Sequence, residues 1–219
     1  MLKFIKPTTW EHVFQDWKQR EGNDPGWIHC ATVLKGWESW ESWRRFIAEQ
    51  IGAPTREWNL FEFTDPMSEI PNMLVGPFSG WQSKLPAPNR HTFADLVRIP
   101  EQAIPLYAHE KVTGIMKDFP PSTVFIGLRF EGTPLRLSGF EGQADRIVCI
   151  EGHHRATAVA LSQLEGIEID FGGPVTIAVA TLATDEISLL DRVLTRGSSK
   201  DVKDAGRSAL PYIAHPESL

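Results

Sequence analysis

The chain has two cysteines in 219 residues, two tyrosines, and no tryptophan beyond Trp81. Cys30 and Cys149 lie far apart, and Cys149 sits inside an apolar run. Such usage suits a reducing compartment and argues against a disulfide-built secreted domain. No stretch approaches the roughly 20 apolar residues of a membrane helix. The first six residues carry two lysines and no long apolar segment, so no signal peptide is read and the cytoplasm is the expected location. Positive charge is scarce as well. The formal net charge is -6, and residues 1–110 and 111–219 each hold 11 Lys and Arg against 14 Asp and Glu, leaving -3 in each half. Duplex-binding proteins present a basic face, so nucleic acid is disfavoured as a partner. Cys-x-x-Cys and His-x-x-x-His spacings are missing too, which leaves His12, His29 and Cys30 without a metal-site pattern.

What the chain does have is a concentration of tryptophan. All eight lie between Trp10 and Trp81, which divides the sequence into a Trp-rich region (1–85) and an aliphatic region (86–183), followed by a C-terminal helix and tail (184–219). The Pro-rich segment Leu85-Pro86-Ala87-Pro88 marks the boundary. Thr8-Thr9 caps a predicted helix to Arg20, with Trp10, Val13, Phe14 and Trp17 at helical spacing. A second helix is predicted from Lys35 to Gln50, its Trp37, Trp40 and Trp43 stripe reading as core. Residues 58–63 alternate like a strand. Residues 76–84 read as a loop whose Trp81 is the aromatic best suited to touch a ligand. Further on, a helix is predicted over 105–119, strands over 123–130, 135–137, 146–150 and 174–182, a turn at 131–134, and a helix over 153–164 closed by Gly166. Residues 196–219 read as loosely structured. The order of elements predicts an α+β fold with a mixed sheet and flanking helices, the Trp-rich part being a mainly helical extension packed on it or extending it.

The most informative run is Arg146-Ile-Val-Cys-Ile-Glu151-Gly152-His153-His154-Arg155-Ala-Thr157-Ala. It reads as a buried strand, a one-glycine turn and a helix that opens on cations. Helix N-termini attract anions and repel cations, so three potentially positive residues in a first turn make sense beside an anion. Gly152 permits the reversal and a close backbone approach. Arg155 suits bidentate phosphate binding, and Thr157 is a weaker phosphate ligand. Glu151 reads in two ways, as a base or Mg²⁺ ligand beside a phosphate, or as the ion-pair partner of Arg155. His154 is the second candidate for a catalytic role.

These residues, Ile150-Glu-Gly-His-His-Arg155 with Ala156 and Ala158, resemble the signature of the ParB/sulfiredoxin-like superfamily. The likeness covers residues 100–183 and is nearest to standalone ParB-like members. It implies a nucleotide-binding core using ATP, CTP or ADP with Mg²⁺. Gly152, His153, His154, Arg155 and Thr157 would lie at the phosphates, Glu151 would serve as acid, base or metal ligand, and His109-Glu110-Lys111 would lie near the nucleotide. His109 to Lys111 read better as a solvated helix start, since Glu in a first turn suits the helix dipole anyway. Sulfiredoxins carry a catalytic cysteine where this chain has His153, which disfavours sulfur chemistry. Too little sequence follows residue 182 for the helix-turn-helix domain of partitioning proteins. The resemblance thus implies a protein binding a nucleotide or other phosphate-bearing small molecule. A Mg²⁺-dependent phosphotransferase or nucleotidase is the enzymatic form of that reading. Its alternative is a non-enzymatic interaction or regulatory protein that binds a protein partner.

Overall fold

A computed structural model describes residues 2–76, 81, 91–130, 135–137, 140–142, 146–183, 186 and 189. Its organising element is a five-stranded mixed sheet in the order β1-β2-β7-β3-β6. The strands are β1 (Leu2–Thr8), β2 (Trp58–Phe63), β3 (Val124–Phe130), β6 (Ile147–Glu151) and β7 (Thr176–Leu182). Strand β3 runs parallel to β7 and antiparallel to β6, and β1/β2 and β2/β7 are antiparallel. A short hairpin, β4 (Leu135–Leu137) with β5 (Phe140–Gly142), stands apart. The class is therefore mixed α+β. Strands from both sides of the expected 85/86 boundary join one sheet, although residues 82–90 themselves lie outside the described residues. The turn at 131–134 and the tail at 196–219 also fall outside them.

Helices cover both faces. On one face lie α1 (Trp10–Glu21), α2 (Pro25–His29), a π-helical turn (Cys30–Leu34) and α3 (Trp40–Gln50). On the other lie α4 (Pro66–Glu69), α5 (Phe93–Arg98), α6 (Pro100–Tyr107), α7 (Glu110–Lys117) and α8 (His153–Glu165). Alternation along the strands feeds the two cores. Ile126, Leu128, Val148 and Ile150 face the first layer, whereas Phe125, Cys149, Ile177 and Val179 face the second.

Local signals explain most elements. The Thr9 hydroxyl accepts from the His12 amide and starts α1. The second helix begins at Trp40 rather than at the expected Lys35. Gly36 adopts φ +69° and ends the preceding turn, and Ser39 and Ser42 then form a reciprocal capping box. The single helix expected over 105–119 is two helices, α6 and α7, which break at Ala108-His109. Pro100 starts α6 and Pro105 lies exposed within it, so the proline read as a start is interior. Strand β1 had no periodicity to reveal it. It is an edge strand whose middle residues are exposed on both faces, anchored by its ladder to β2 and an edge-on contact of Phe4 with Phe61. The Trp37, Trp40 and Trp43 stripe is buried as core.

Candidate functional site

The site grows from the end of β6. All five residues of that strand are buried, and the chain turns at Gly152 with φ +111°. A Cβ at Gly152 would stand 2.3 Å from Phe125 Cδ1, so the turn requires glycine on both conformational and steric grounds. Helix α8 then begins. Its first intrahelical bond runs from the Ala156 amide to the Gly152 carbonyl, at 2.8 Å. The amides of the preceding turn therefore have no acceptor within the helix.

The side chains of that turn face different surroundings. Arg155 turns back on Glu151, its Nη2 donating to both carboxylate oxygens at 2.7 and 2.5 Å. The guanidinium also lies over the Phe125 ring, 4.8 Å from its centroid. Arg20 approaches the same carboxylate at 3.6 Å and donates to the Val124 carbonyl at 2.6 Å. Burial would raise the Glu151 pKa, but Arg155, then Arg20 and Arg44, hold it below the usual carboxylate range. Glu151 is an ionised, ion-paired group, and Arg155 is its partner.

His153 is committed as well. Its Nε2 lies 2.7 Å from the Val75 carbonyl, which can only accept, so Nε2 carries the proton. Nδ1 faces the Cys149 sulfur at 3.9 Å. Burial pushes the His153 pKa down to about 4. Trp81, expected to be displayed for a ligand, is instead buried and stacked on the His153 ring at 5.3 Å and 23°. Thr157 is fully buried one turn into α8.

His154 points the other way, into a seam between the two helical layers. Its ring centroid lies 5.0 Å from His109, 5.3 Å from Trp81 and 6.0 Å from Trp27. Burial, then the neighbouring His109 and Lys111, hold its pKa well below the ordinary histidine value. His109 occupies the N-cap position of α7, half-buried and without a side-chain capping bond, so the expected solvated helix start describes Glu110 and Lys111 better than His109. From the opposite layer come Trp27 and Arg44. The Arg44 guanidinium sits 4.0 Å from the Trp43 ring centroid and 4.8 Å from those of Trp27 and Trp17, and it pairs with Glu21 at 2.8 Å. The Lys111 ammonium lies 4.7 Å over Trp27.

Buried polar atoms in folded proteins are nearly always hydrogen-bonded. Here most of the exceptions belong to residues packed around Arg44 and His154. Among the described residues, buried side-chain polar atoms without a hydrogen-bond partner belong to Trp17, Arg20, Trp27, Trp43, Arg44, His109 and His154, with His91, Thr157 and Ser162 elsewhere. The arginine and indole nitrogens in that set can only donate, and the imidazoles can present a donor. The Arg44 side chain is nine-tenths buried and Trp43 is 4% exposed, yet Nε and Nε1 respectively remain unpartnered.

Arg20, Arg44 and Trp27 escaped the sequence reading. Each sits on a helix whose pattern speaks only for packing, and the tertiary crossing of α1, α2 and α3 brings them to α8. Comparison with protein-family models, with curated proteins and with solved structures finds no match for the chain. No group of three or more His, Cys, Asp or Glu side chains is poised for a metal among the described residues. Nor is any helix among them long and apolar enough to cross a membrane.

Proposed function

We propose that the chain is a ParB/sulfiredoxin-like protein that binds a nucleotide or another phosphate-bearing small molecule at the N-terminus of α8. The observation that carries this reading is the cluster of unpartnered buried donors at the seam, where His154, His109, Arg44 and Trp27 meet. A phosphate offers only acceptors and negative charge, so it satisfies such donors and the positive helix end together. Arg20, Arg44, Arg155 and Lys111 outnumber Glu21, Asp24 and Glu151 there by one.

In this reading the phosphate contacts fall to His154, His109, Arg44 and Lys111. Glu151, Arg155 and His153 hold the turn in shape. With Glu151 locked to Arg155, binding is favoured over turnover, and phosphotransferase or nucleotidase chemistry would need that pair to open. Calorimetric titration with ATP, CTP, ADP and inorganic phosphate tests the reading. Binding that weakens about tenfold or more in His154→Ala is the expected result, since charge-assisted hydrogen bonds contribute about 1.5–3 kcal/mol. Absence of binding by all four ligands overturns it.

A further inference from the structure

The superfamily resemblance brings Mg²⁺ with the nucleotide, and the seam can be tested for a place to hold it. Magnesium requires near-octahedral oxygen ligands, usually with one or two protein carboxylates among them. Three carboxylates pair with the cations of the seam among the described residues. Both Glu151 oxygens accept from Arg155. Glu21 Oε2 accepts from Arg44 at 2.8 Å and from the Trp40 indole at 3.3 Å. Asp24 Oδ1 caps its own helix at the Gly26 and Trp27 amides, and Oδ2 lies 3.8 Å from the Lys111 ammonium. Each carboxylate is already committed to a cation or a helix end. The nitrogens left over are those of arginine, tryptophan and histidine, which suit an anion and not a hard cation. The residues do not fit a protein-held Mg²⁺, Glu151 included.

Resting on the phosphate-binding reading above, we infer that the seam takes a pyrophosphate or oligophosphate group free of metal. Arg44 and Lys111 supply the charge compensation that a divalent ion supplies elsewhere, and the His109 and His154 rings add hydrogen-bond donors. The ligand is acceptor-rich and donor-poor, so the phosphate chain, not a base or sugar, provides the recognised surface. A metal-complexed phosphate presents less negative charge and fewer open acceptor oxygens to these donors.

The test is calorimetric titration of the full chain with inorganic pyrophosphate and with ATP, each in EDTA and again in excess MgCl₂. The inference expects binding in EDTA that is equal to, or tighter than, binding with Mg²⁺. Lys111→Ala, at an exposed position on α7, should weaken the EDTA affinity for pyrophosphate by about threefold or more. Binding tighter with Mg²⁺ by more than about threefold overturns the inference and leaves the phosphate reading standing. An unchanged EDTA affinity in Lys111→Ala overturns the assignment of charge compensation to this seam. Binding of neither ligand in either condition overturns the phosphate reading, and the inference with it.

Discussion

On one face of the sheet, Trp10, Phe14, Trp17, Trp40 and Trp58 lock ring against ring at centroid distances of 5.3 to 6.1 Å. On the other, α8 lays Ala156, Ala158, Val159 and Ala160 close to the strands. The aromatic layer is thick, with indole N–H groups that need partners. The small-residue layer brings a helix end near the backbone of β3 and β6. Where the two layers meet at the end of β6, the first contributes Trp27, Trp43 and Arg44 and the second contributes His109, His154 and Lys111. Neither layer alone makes the seam. The comparison separates residues that hold the sheet from residues left with unspent donors.

The largest effect expected from breaking one side of this comparison lies in the aromatic layer. Trp58 is 1% exposed, stacks near Trp10 and donates its indole N–H to the Ala53 carbonyl at 2.9 Å. Trp58→Ala should cost about 4 kcal/mol in chemical denaturation. Next comes the ion pair at the seam. Glu151→Ala leaves Arg155 buried without its partner, and a loss of about 3 kcal/mol is expected. Adding Arg155→Met should recover much of it, and denaturation of the double variant measures the coupling. On the small-residue face, Ala158→Val overpacks a fully buried position and should cost about 2 kcal/mol.

A pH series gives the smallest and most graded effect. His153 is held neutral in the fold, its pKa down from 6.5 to about 4, so the unfolded chain binds the proton more readily. Its stability contribution is complete above about pH 6.5 and is lost as pH falls through the window down to about 4. His154 acts in the same direction. Over the single step from pH 7 to pH 6, a loss of about 1 kcal/mol is expected in the denaturation midpoint analysis. An anion at the seam stabilises protonated His154, so saturating phosphate should flatten this slope.

Much of the framework was legible because its signals are local. The Thr9 cap and the Trp10, Val13, Phe14, Trp17 spacing predict α1, and the 58–63 alternation predicts β2. The apolar run, Gly152 and the alanines predict β6, the turn and α8. The layout of the site was not legible, for physical reasons that are all tertiary. Nothing in the motif says whether Arg155 reaches outward to a ligand or back to Glu151 one helical turn away, and the alternative left open as an ion pair is the one the geometry adopts. His153 is spent on a carbonyl distant in sequence, at Val75. Arg44 carries no signal of its own in the α3 pattern, yet the fold surrounds it with the rings of Trp17, Trp27 and Trp43. Composition likewise placed a boundary near residue 85, whereas hydrogen bonding between β2 and β7 joins the two regions in one sheet.

The central claim is that the donors gathered at the seam receive a phosphate group. Amide and indole nitrogen–proton correlation spectra during titration with pyrophosphate in EDTA test it most directly, since the eight tryptophans report individually. The account predicts that the Trp27 and Trp43 indole signals and the His154 and Arg155 backbone amides move together, with one saturation curve. Spectra in which these signals stay fixed while pyrophosphate is added to saturation would contradict it.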